Sequence, residues 1–309
     1  MGKTYIFGHR NPDTDTITSS LVMANFEKAL GNEDAVACRL GNINKETEYV
    51  LNYLGIEAPE LIDGVEDGSN VILVDHNSPK ESIENLENVN ILKVVDHHKL
   101  ALETSYPLFY RAEPVGCTET VMYKLYKENN IEVDKTIATL MLSAIISDTL
   151  LFRSPTCTPL DKIVAEALAK IADVNLEELA MEMFNAGSNL KGKSAEEICF
   201  QDFKQFTVGE KVFGVGQISS MNVEELQEVN EVLTPYLSVV LKENKLNMVY
   251  FMLTNILDES TELLCVGQDA KAPIIDAYGV PEDAQKVILK GVVSRKKQLV
   301  PTLISALKH

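Results

Sequence analysis

The feature that most constrains the fold is an alternation, in the first half of the chain, of short apolar runs and segments with helical spacing of apolar residues. Two of the runs, Asn70–Val74 (NVILV) and Ile91–Val95 (ILKVV), lack the regular polar positions of a half-exposed strand. Such runs are typical of parallel strands that are buried on both faces. The alternation therefore predicts an α/β fold with a doubly wound parallel sheet.

The remaining elements of this half follow from apolar spacing and from residues that begin or end helices. Gly31 and Gly55 mark helix ends, and Thr158-Pro159 supplies a capping threonine followed by a proline in the first turn. Further strands are predicted at Lys3–Phe7, Ala35–Cys38 and Leu108–Arg111, and helices at Thr18–Leu30, Glu46–Leu54, Thr118–Glu128 and Lys135–Phe152, with one helix opening at Thr158-Pro159 and another running to Ala186.

The composition changes at residues 187–194, GSNLKGKS, which read as glycine, serine and lysine without an apolar anchor. We interpret 188–194 as a flexible linker between a domain of residues 1–187 and a smaller α/β domain of residues 195–309, with a mixed sheet. In the second domain, strands are predicted at Lys211–Ile218, Leu246–Ile256, Glu262–Val266 and Lys286–Leu289, and helices at Asn222–Glu243, kinked or split at Pro235, and Gln298–Leu307.

Composition limits the classes of function. The chain has 309 residues, 45% of them hydrophobic, and a formal net charge of −18. No apolar run approaches the ~20 residues of a membrane helix, and the first residues lack a signal-peptide pattern. The acidic balance argues against binding to nucleic acid or to anionic membranes. Five scattered cysteines, none in a C-x-x-C pair, predict reduced thiols in a cytoplasmic protein.

Acidic and imidazole side chains follow three of the predicted strands. The stretch GHRNPDTDT (8–16) follows the first strand, on a turn at Asn11-Pro12, VDHN follows the third, and VVDHH ends the fourth. Because ligands bind beyond the carboxyl ends of parallel strands, these groups should meet at one edge of the sheet. A further carboxylate ends the apolar helix LMLSAIISD, where burying it unpaired would be costly. The candidate metal ligands are His9, Asp13, Asp15, Asp75, His97 and Asp148.

Each of these residues also has an ordinary structural interpretation. Asp75 alone is as easily a turn residue, Asp15 could be the N-cap of the first helix, and His76 could be a core histidine. Their convergence favours a shared site instead. Oxygen ligands with a minority of imidazoles favour Mn²⁺, Co²⁺ or Mg²⁺ over a structural zinc. Four carboxylates suit two ions about 3.5–4 Å apart that share one ligand and make hydroxide available at neutral pH.

A basic cluster, Ser294-Arg295-Lys296-Lys297, follows an apolar run near the end of this acidic chain. An isolated cluster of this kind is usually a solvated turn. Together with a two-metal site it is better interpreted as a group that binds an anion, because arginine holds phosphate by two parallel hydrogen bonds and lysine adds a point charge.

The motifs GHRNPDTDT, VDHN, VVDHHK, RAEPVGCTET, SAIISDT and SRKK, in this order, resemble those of the family II inorganic pyrophosphatases of the DHH superfamily. The resemblance runs nearly from end to end. DHH alone would indicate only the superfamily, whereas DHH with the C-terminal SRKK indicates the pyrophosphatase branch.

The resemblance implies a function and a set of roles. It implies hydrolysis of pyrophosphate to two orthophosphates by a hydroxide that bridges two Mn²⁺ or Co²⁺ ions per subunit, while Mg²⁺ accompanies the substrate. It also implies a homodimer and an active site in the cleft between the domains. One ion is implied at His9, Asp13 and Asp75, and the other at Asp15, Asp75, His97 and Asp148. Asp96 is implied to orient a ligand. The implied catalytic and substrate-binding residues are His98, Lys204, Arg295 and Lys296.

Three other interpretations stay open at this point. Residues 187–194 satisfy the Walker A spacing, but a P-loop follows a buried strand and these residues follow a predicted helix. Ser194 and Glu197 form a plausible capping box, which predicts a helix after them. A DHH-type phosphodiesterase or polyphosphatase would act on short oligonucleotides or polyphosphate, although the chain has no tryptophan for base stacking. A metal-binding module would bind Mn²⁺ without turnover.

Overall fold

The computed structural model describes residues 2–187, 190 and 192–308. The chain divides into two compact units, Met1–Gly187 and Ser188–His309. Within the described residues, no helix is both long and apolar enough to cross a membrane.

The first unit is built on a six-stranded sheet whose strands are all parallel. The strand order is β3-β2-β1-β4-β5-β6, so the chain fills one side of β1 before it crosses to the other. The strands are β1 Thr4–Phe7, β2 Ala35–Arg39, β3 Glu60–Leu61, β4 Asn70–Val74, β5 Asn90–Asp96 and β6 Phe109–Ala112. The predicted doubly wound parallel sheet is confirmed, and β1 and β4 flank its topological switch point.

Two helices of the first unit connect strands of this sheet, and four more follow its last strand. They are α1 Thr14–Ala29, α2 Lys45–Leu54, α3 Thr118–Glu128, α4 Lys135–Thr149, α5 Pro159–Ala172 and α6 Leu176–Gly187. The predicted capping threonine is present, because Thr158 forms a reciprocal capping box with Asp161. Helix α4 is shorter than predicted, since Leu150, Leu151 and Phe152 have φ angles of 48°, 50° and 68° and leave the right-handed helix.

The start of α1 corrects two expectations. The helix begins at Thr14 and not at Thr18, because the side chain of Asp13 accepts a hydrogen bond from the backbone N–H of Thr16 and caps it. Asp15 therefore lies in the first helical turn, and it is neither on a loop nor the cap. A Cβ atom at Gly8 would lie 2.5 Å from Cγ2 of Thr16, so the glycine allows this turn to approach the end of β1.

The second unit contains a mixed five-stranded sheet of order β11-β10-β9-β8-β7, in which only β8 and β9 run parallel. The mixed α/β sheet expected here is confirmed. Its strands are β7 Phe203–Val208, β8 Lys211–Ser220, β9 Met248–Asn255, β10 Ser260–Val266 and β11 Ile288–Lys290, and its helices are α7 Ala195–Phe200, α8 Val223–Glu243, α9 Ala272–Tyr278 and α10 Val300–Ala306, with a π-helical segment, Arg295–Leu299, before α10.

Strand β9 is the centre of this unit, since all eight of its residues are buried. Its alternate side chains pack into two apolar clusters, one with α8 and one with α10. Helix α8 runs through Pro235 as one element and is not split there. The C-terminal helical region begins at Arg295, earlier than the predicted Gln298, because the π-helical segment precedes α10.

Residues 188–194 differ from the sequence interpretation in one respect. Leu190 is 7% exposed and packs in the α8 cluster with Ile198 and Cys199, so the segment does have an apolar anchor. The part of the predicted linker formed by Ser188, Asn189 and Lys191 lies outside the described residues. The residues before Gly187 form α6, and the capping box of Ser194 and Glu197 opens α7, so the Walker-like segment follows a helix and not a strand.

Candidate metal centre

The switch point between β1 and β4 brings the predicted ligands of the first unit together. β1 pairs with β4 so that Phe7 lies beside Leu73, and the chain beyond them reaches His9 and Asp75. β5 delivers His97 one residue after its end, α1 contributes its first turn, and α4 contributes Asp148 from its last turn. Elements that are far apart in the sequence thus meet at the same place.

Asp75 lies at the middle of the cluster and faces an imidazole with each of its oxygens. Its Oδ2 atom is 3.4 Å from Nε2 of His9, and its Oδ1 atom is 3.4 Å from Nε2 of His97. The φ angle of Asp75 is 55°, a conformation that is unfavourable for an aspartate and is often retained at functional sites. A hydrogen bond from its backbone N–H to the carbonyl of Val95 (3.0 Å) holds it there.

The side chains form groups whose candidate ligand atoms lie within 4.8 Å of one another. His9, Asp13 and Asp75 form one, and Asp15, His97 and Asp148 form a second. Nε2 of His9 is 3.5 Å from Oδ2 of Asp13, and Nε2 of His97 is 3.8 Å from Oδ2 of Asp148. All six predicted metal ligands are therefore brought together, with Asp75 in reach of both histidines.

Hydroxyl and amide groups from outside the predicted set hold the carboxylates in place. Thr16 donates from Oγ1 to Oδ2 of Asp75 at 2.6 Å, and Thr118 donates from Oγ1 to its Oδ1 at 3.1 Å. The backbone N–H of Thr118 also donates to Oδ2 of Asp15 at 2.7 Å. Sequence reasoning missed both threonines, because threonine is not a typical metal ligand. Asp75 also lies 59 residues from Thr16 and 43 residues from Thr118 in the sequence.

The histidines of the DHH motif are oriented by the groups that accept from their Nδ1 atoms. The carbonyl of Val115 accepts a hydrogen bond from Nδ1 of His97 at 3.1 Å, which turns Nε2 toward the carboxylates. Oδ1 of Asp96 accepts from Nδ1 of His98 at 2.9 Å. Asp96 therefore orients the ring of His98, which the resemblance implied to bind substrate, whereas the ring of His97 is oriented by Val115. His98 is half exposed and also forms a third group with Asp75 and His97.

His76, by contrast, joins none of the groups found among the described residues. Its Nδ1 atom lies 3.0 Å from the carbonyl of Val74, and its ring is buried near Phe7. The structural interpretation of His76 as a core histidine fits this position.

Burial and like charges shift the pKa values of the carboxylates strongly. Burial and the neighbouring charge of Asp75 raise the pKa of Asp15 to about 7, and burial with the charges of Asp15 and Asp75 raises that of Asp148 well above its usual range. Burial also opposes ionisation of Asp75, but hydrogen bonds from His9 and His97 outweigh it and lower its pKa. Carboxylates this close need a cation or protons between them.

The histidine pKa values are shifted in the complementary direction. Burial lowers the pKa of His9, but hydrogen bonds and charges of Asp13 and Asp75 outweigh it and raise the value to about 10. Burial likewise lowers the pKa of His97, but the interactions with Asp75 and Asp15 outweigh it and raise the value to about 9. The aspartates of the cluster thus stabilise positive charge on the neighbouring histidines.

The donor set fits divalent ions that accept oxygen and nitrogen ligands. In the part of the chain that the structure describes, the three groups contain only aspartate and histidine, and no cysteine joins them. Mn²⁺, Co²⁺ and Mg²⁺ suit such a set better than a thiolate-bound structural zinc. The residues that would hold the ions are the six predicted ligands.

Two of the predicted cations of the second unit, Arg295 and Lys204, are each connected to Val215 of β8. Nη1 of Arg295 donates to the carbonyl of Val215 at 3.4 Å, and Val215 is the register partner of Lys204 on β7. Lys296 is exposed in the π-helical segment beside Arg295. Arg295 is 8% exposed, and its guanidinium forms an ion pair of 2.8 Å with Asp202.

Two family models match successive parts of the chain. The model described as the DHH family, N-terminal domain, matches residues 3–145, and the DHHA2 domain model matches residues 181–306. The fold and the site therefore define a protein of the DHH class with a following DHHA2 domain.

Relatives extend the similarity over the full length. The manganese-dependent inorganic pyrophosphatase of Bacillus subtilis is 45% identical over 99% of both chains, and a probable manganese-dependent inorganic pyrophosphatase of Oceanobacillus iheyensis is 45% identical over 100% of both. A crystal structure from Methanococcus jannaschii, assigned to the family II inorganic pyrophosphatases, is 41% identical with a TM-score of 0.64 and covers 98% of this chain and 99% of its own. The chain belongs to the family of manganese-dependent inorganic pyrophosphatases, which confirms the resemblance stated above.

Proposed function

We propose that the chain hydrolyses inorganic pyrophosphate to two orthophosphates, with Mn²⁺ held by the aspartates and histidines of the first unit. The observation that carries this proposal is the position of Asp75, whose two oxygens each lie 3.4 Å from a different ligand histidine. One carboxylate so placed is suited to be shared between two ions. The names of the full-length relatives supply the substrate.

The proposed roles of the chain's residues follow from their contacts. Ions bound at the cluster supply Lewis acidity and activate water at neutral pH. Thr16 and Thr118 hold the Asp75 carboxylate so that both of its oxygens keep their direction. Asp96 accepts a hydrogen bond from Nδ1 of His98 and raises the pKa of that ring, and in its protonated form the ring would donate from Nε2 to a phosphate oxygen.

Arg295, Lys204 and Lys296 are proposed to bind the phosphate oxygens of the substrate. The hydrogen bonds that the Arg295 guanidinium makes within the described residues use Nη1 twice and Nη2 once, with Asp202 and Val215 as partners. Nε–H and the second N–H of Nη2 are not used by these bonds. They lie side by side, so they could donate to two oxygens of one phosphate group. Lysine charges beside it would stabilise the charge that develops on the departing phosphate.

The finer parts of the proposal rest on the family resemblance. They are two ions per chain, Co²⁺ as an effective substitute for Mn²⁺, Mg²⁺ bound with the substrate, assembly as a homodimer and a cytoplasmic location. The five cysteines are free thiols, which suits a reducing compartment. Metal analysis of the purified chain and its mass in solution test the stoichiometry and the assembly.

A phosphate-release assay on metal-stripped protein tests the function. Mn²⁺, Co²⁺ or Zn²⁺ is added back in the presence of Mg²⁺, and pyrophosphate, tripolyphosphate and a dinucleotide are offered side by side. We expect fastest release from pyrophosphate with Mn²⁺ or Co²⁺, and loss of release in Asp75→Asn but not in the exposed control Asp63→Asn. Faster release from the dinucleotide or tripolyphosphate would indicate a different phosphoesterase, and Mn²⁺ binding without release would indicate a binding module.

A further inference from the structure

We propose that Glu46 is a positioning residue of the metal centre, which fixes the first turn of α1 against the last turn of α4 without contacting an ion. The inference rests on the metal-binding part of the proposed function. Glu46 lies in the first turn of α2 and belongs to none of the ligand groups found in the described residues. Its hydrogen-bonded connections to the ligand-bearing segments therefore pass through other side chains.

One oxygen of Glu46 joins the two helices. Its Oε1 atom accepts a hydrogen bond from Oγ1 of Thr14 at 2.7 Å and another from Oγ of Ser147 at 2.5 Å. Thr14 stands between the candidate ligands Asp13 and Asp15, and Ser147 immediately precedes Asp148. A single acceptor thus connects backbone segments that carry three of the six candidate ligands.

The surroundings of Glu46 fix its own position. Thr14 and Thr47 are fully buried, and their hydroxyl oxygens lie 3.1 Å apart, which anchors the start of α2 to the start of α1. The N-cap Asn44 accepts from the backbone N–H of Thr47 at 2.8 Å. A Cβ atom at Gly187, where α6 ends, would lie 3.1 Å from Cβ of Glu46, so this side of the residue is also enclosed.

A glutamate is electrostatically unfavourable at this place. Burial raises the pKa of Glu46, and the charge of Asp13 raises it further, while only the hydrogen bonds from Ser147 and Thr14 favour the carboxylate. The cluster already holds four aspartates, whose repulsion tends to separate α1 from α4. The hydrogen bonds to Oε1 oppose that separation, which is the physical basis of the positioning role.

The test compares three substitutions in the full chain. Glu46→Gln keeps an oxygen acceptor at the same place, Glu46→Leu removes it, and both remove the charge. Glu48→Gln, on the same helix and paired with Lys45 at the surface, is the matched control for charge loss. The measurement is the Mn²⁺ dissociation constant from competition with a chelating dye, with circular dichroism of each metal-free variant as a check of folding.

We expect Glu46→Leu to weaken Mn²⁺ binding by about 10- to 100-fold, the usual effect of losing a group that orients ligands. Glu46→Gln and Glu48→Gln should bind Mn²⁺ as the parent chain does, and kcat of Glu46→Leu should recover at saturating Mn²⁺. Unchanged binding in Glu46→Leu, or equal weakening in Glu46→Gln, would overturn the proposal, while a parent chain that fails to bind Mn²⁺ would overturn the proposed function instead.

If Glu46→Leu does not fold, Ser147→Ala and Thr14→Val remove the two donors one at a time and together. We then expect weaker Mn²⁺ binding in each single variant. Mn²⁺ binding that stays at the parent level in the double variant would contradict the proposal.

Discussion

The Oδ1 atom of Asp96 accepts a hydrogen bond from Nδ1 of His98 at 2.9 Å, at the end of the strand that also leads to His97. The same oxygen accepts from the backbone N–H groups of His97 and His98, at 2.7 and 3.0 Å. Asn77 donates to the other oxygen of Asp96 at 2.5 Å. Burial opposes ionisation of Asp96, but these donors outweigh it and lower its pKa, so Asp96 is a charged acceptor that fixes the local chain.

We therefore expect Asp96→Asn to reduce phosphate release by about 10- to 100-fold, because the amide cannot accept from every donor that now surrounds the carboxylate. The pH profile of kcat should change as well, since hydrogen bonding to Asp96 is the main cause that raises the pKa of His98. Steady-state kinetics across pH measures both effects. The exposed control Asp63→Asn should match the parent chain, and an unaltered profile in Asp96→Asn would contradict the orienting role.

The ion pair between Asp202 and Arg295 leads to a prediction about the second unit. Asp202 accepts from both Nη atoms of Arg295, through its carbonyl at 2.6 Å and its Oδ1 at 2.8 Å. Asp202→Ala should leave the guanidinium less well ordered, so we expect KM for pyrophosphate to rise by about 10-fold, equivalent to the ~1.4 kcal/mol of a charge-assisted hydrogen bond.

Mn²⁺ affinity provides the contrast for this variant. Asp202 contacts none of the candidate metal ligands through the interactions described for it, so Mn²⁺ binding by Asp202→Ala should equal that of the parent chain. The exposed control Asp283→Asn should alter neither quantity. A change in Mn²⁺ affinity without a change in KM would show that the ion pair does not serve substrate binding.

Most of the fold follows from local sequence patterns, because the central strands are buried on both faces. β4 has the predicted bounds and β5 extends one residue beyond them at each end, since a largely aliphatic run of this length has few other structures in a protein of this size. β7 was missed, because it is an edge strand whose exposed positions interrupt the apolar pattern of FKQFTV. Lys204 was therefore assigned without the strand that places it opposite Val215.

The candidate ligands could be predicted because they follow strand ends, whereas the groups that support them could not. Thr16, Thr118 and Glu46 act through partners that the fold brings from distant parts of the chain, and no spacing rule connects them. Within GHRNPDTDT, the sequence offered Asp15 as a possible helix cap, whereas Asp13 caps the helix, because both are good cap residues and only the backbone geometry separates them.

The shifted pKa values predict how pH affects the metal-free protein. Burial and the charge of Asp75 raise the pKa of Asp15 from 3.8 to about 7, so the stability that its protonated form contributes is lost as pH rises toward 7. The pKa of His9 is raised from 6.5 to about 10, and its contribution is lost between those values. The free energy of unfolding should therefore fall with rising pH. Thermal unfolding between pH 6 and 9 measures this.

The stabilisation that added Mn²⁺ provides should increase with rising pH, because metal ions bind the deprotonated ligands. The rise in melting temperature caused by a fixed Mn²⁺ concentration is thus expected to grow from pH 6 to pH 9. His9→Gln should flatten the pH dependence of the metal-free protein relative to the parent chain, and Asp63→Asn should not. A metal-free melting temperature that rises with pH across this window would show that the cluster does not titrate as its geometry indicates.

The Walker-like segment 187–194 leads to a prediction that tests whether its residue spacing corresponds to a functional phosphate-binding loop. Lys193 is partly exposed and donates from Nζ to Oε1 of Gln201 at 3.1 Å, and among the described residues its segment follows helix α6, whereas a phosphate-binding loop follows a strand. Lys193→Ala should therefore retain nearly all of the phosphate release from pyrophosphate, whereas Lys204→Ala should raise KM. The two variants remove the same charge from the same unit, and kinetics in parallel compares them. Loss of activity in Lys193→Ala, with release from ATP in the parent chain, would restore the nucleotide-hydrolysing interpretation.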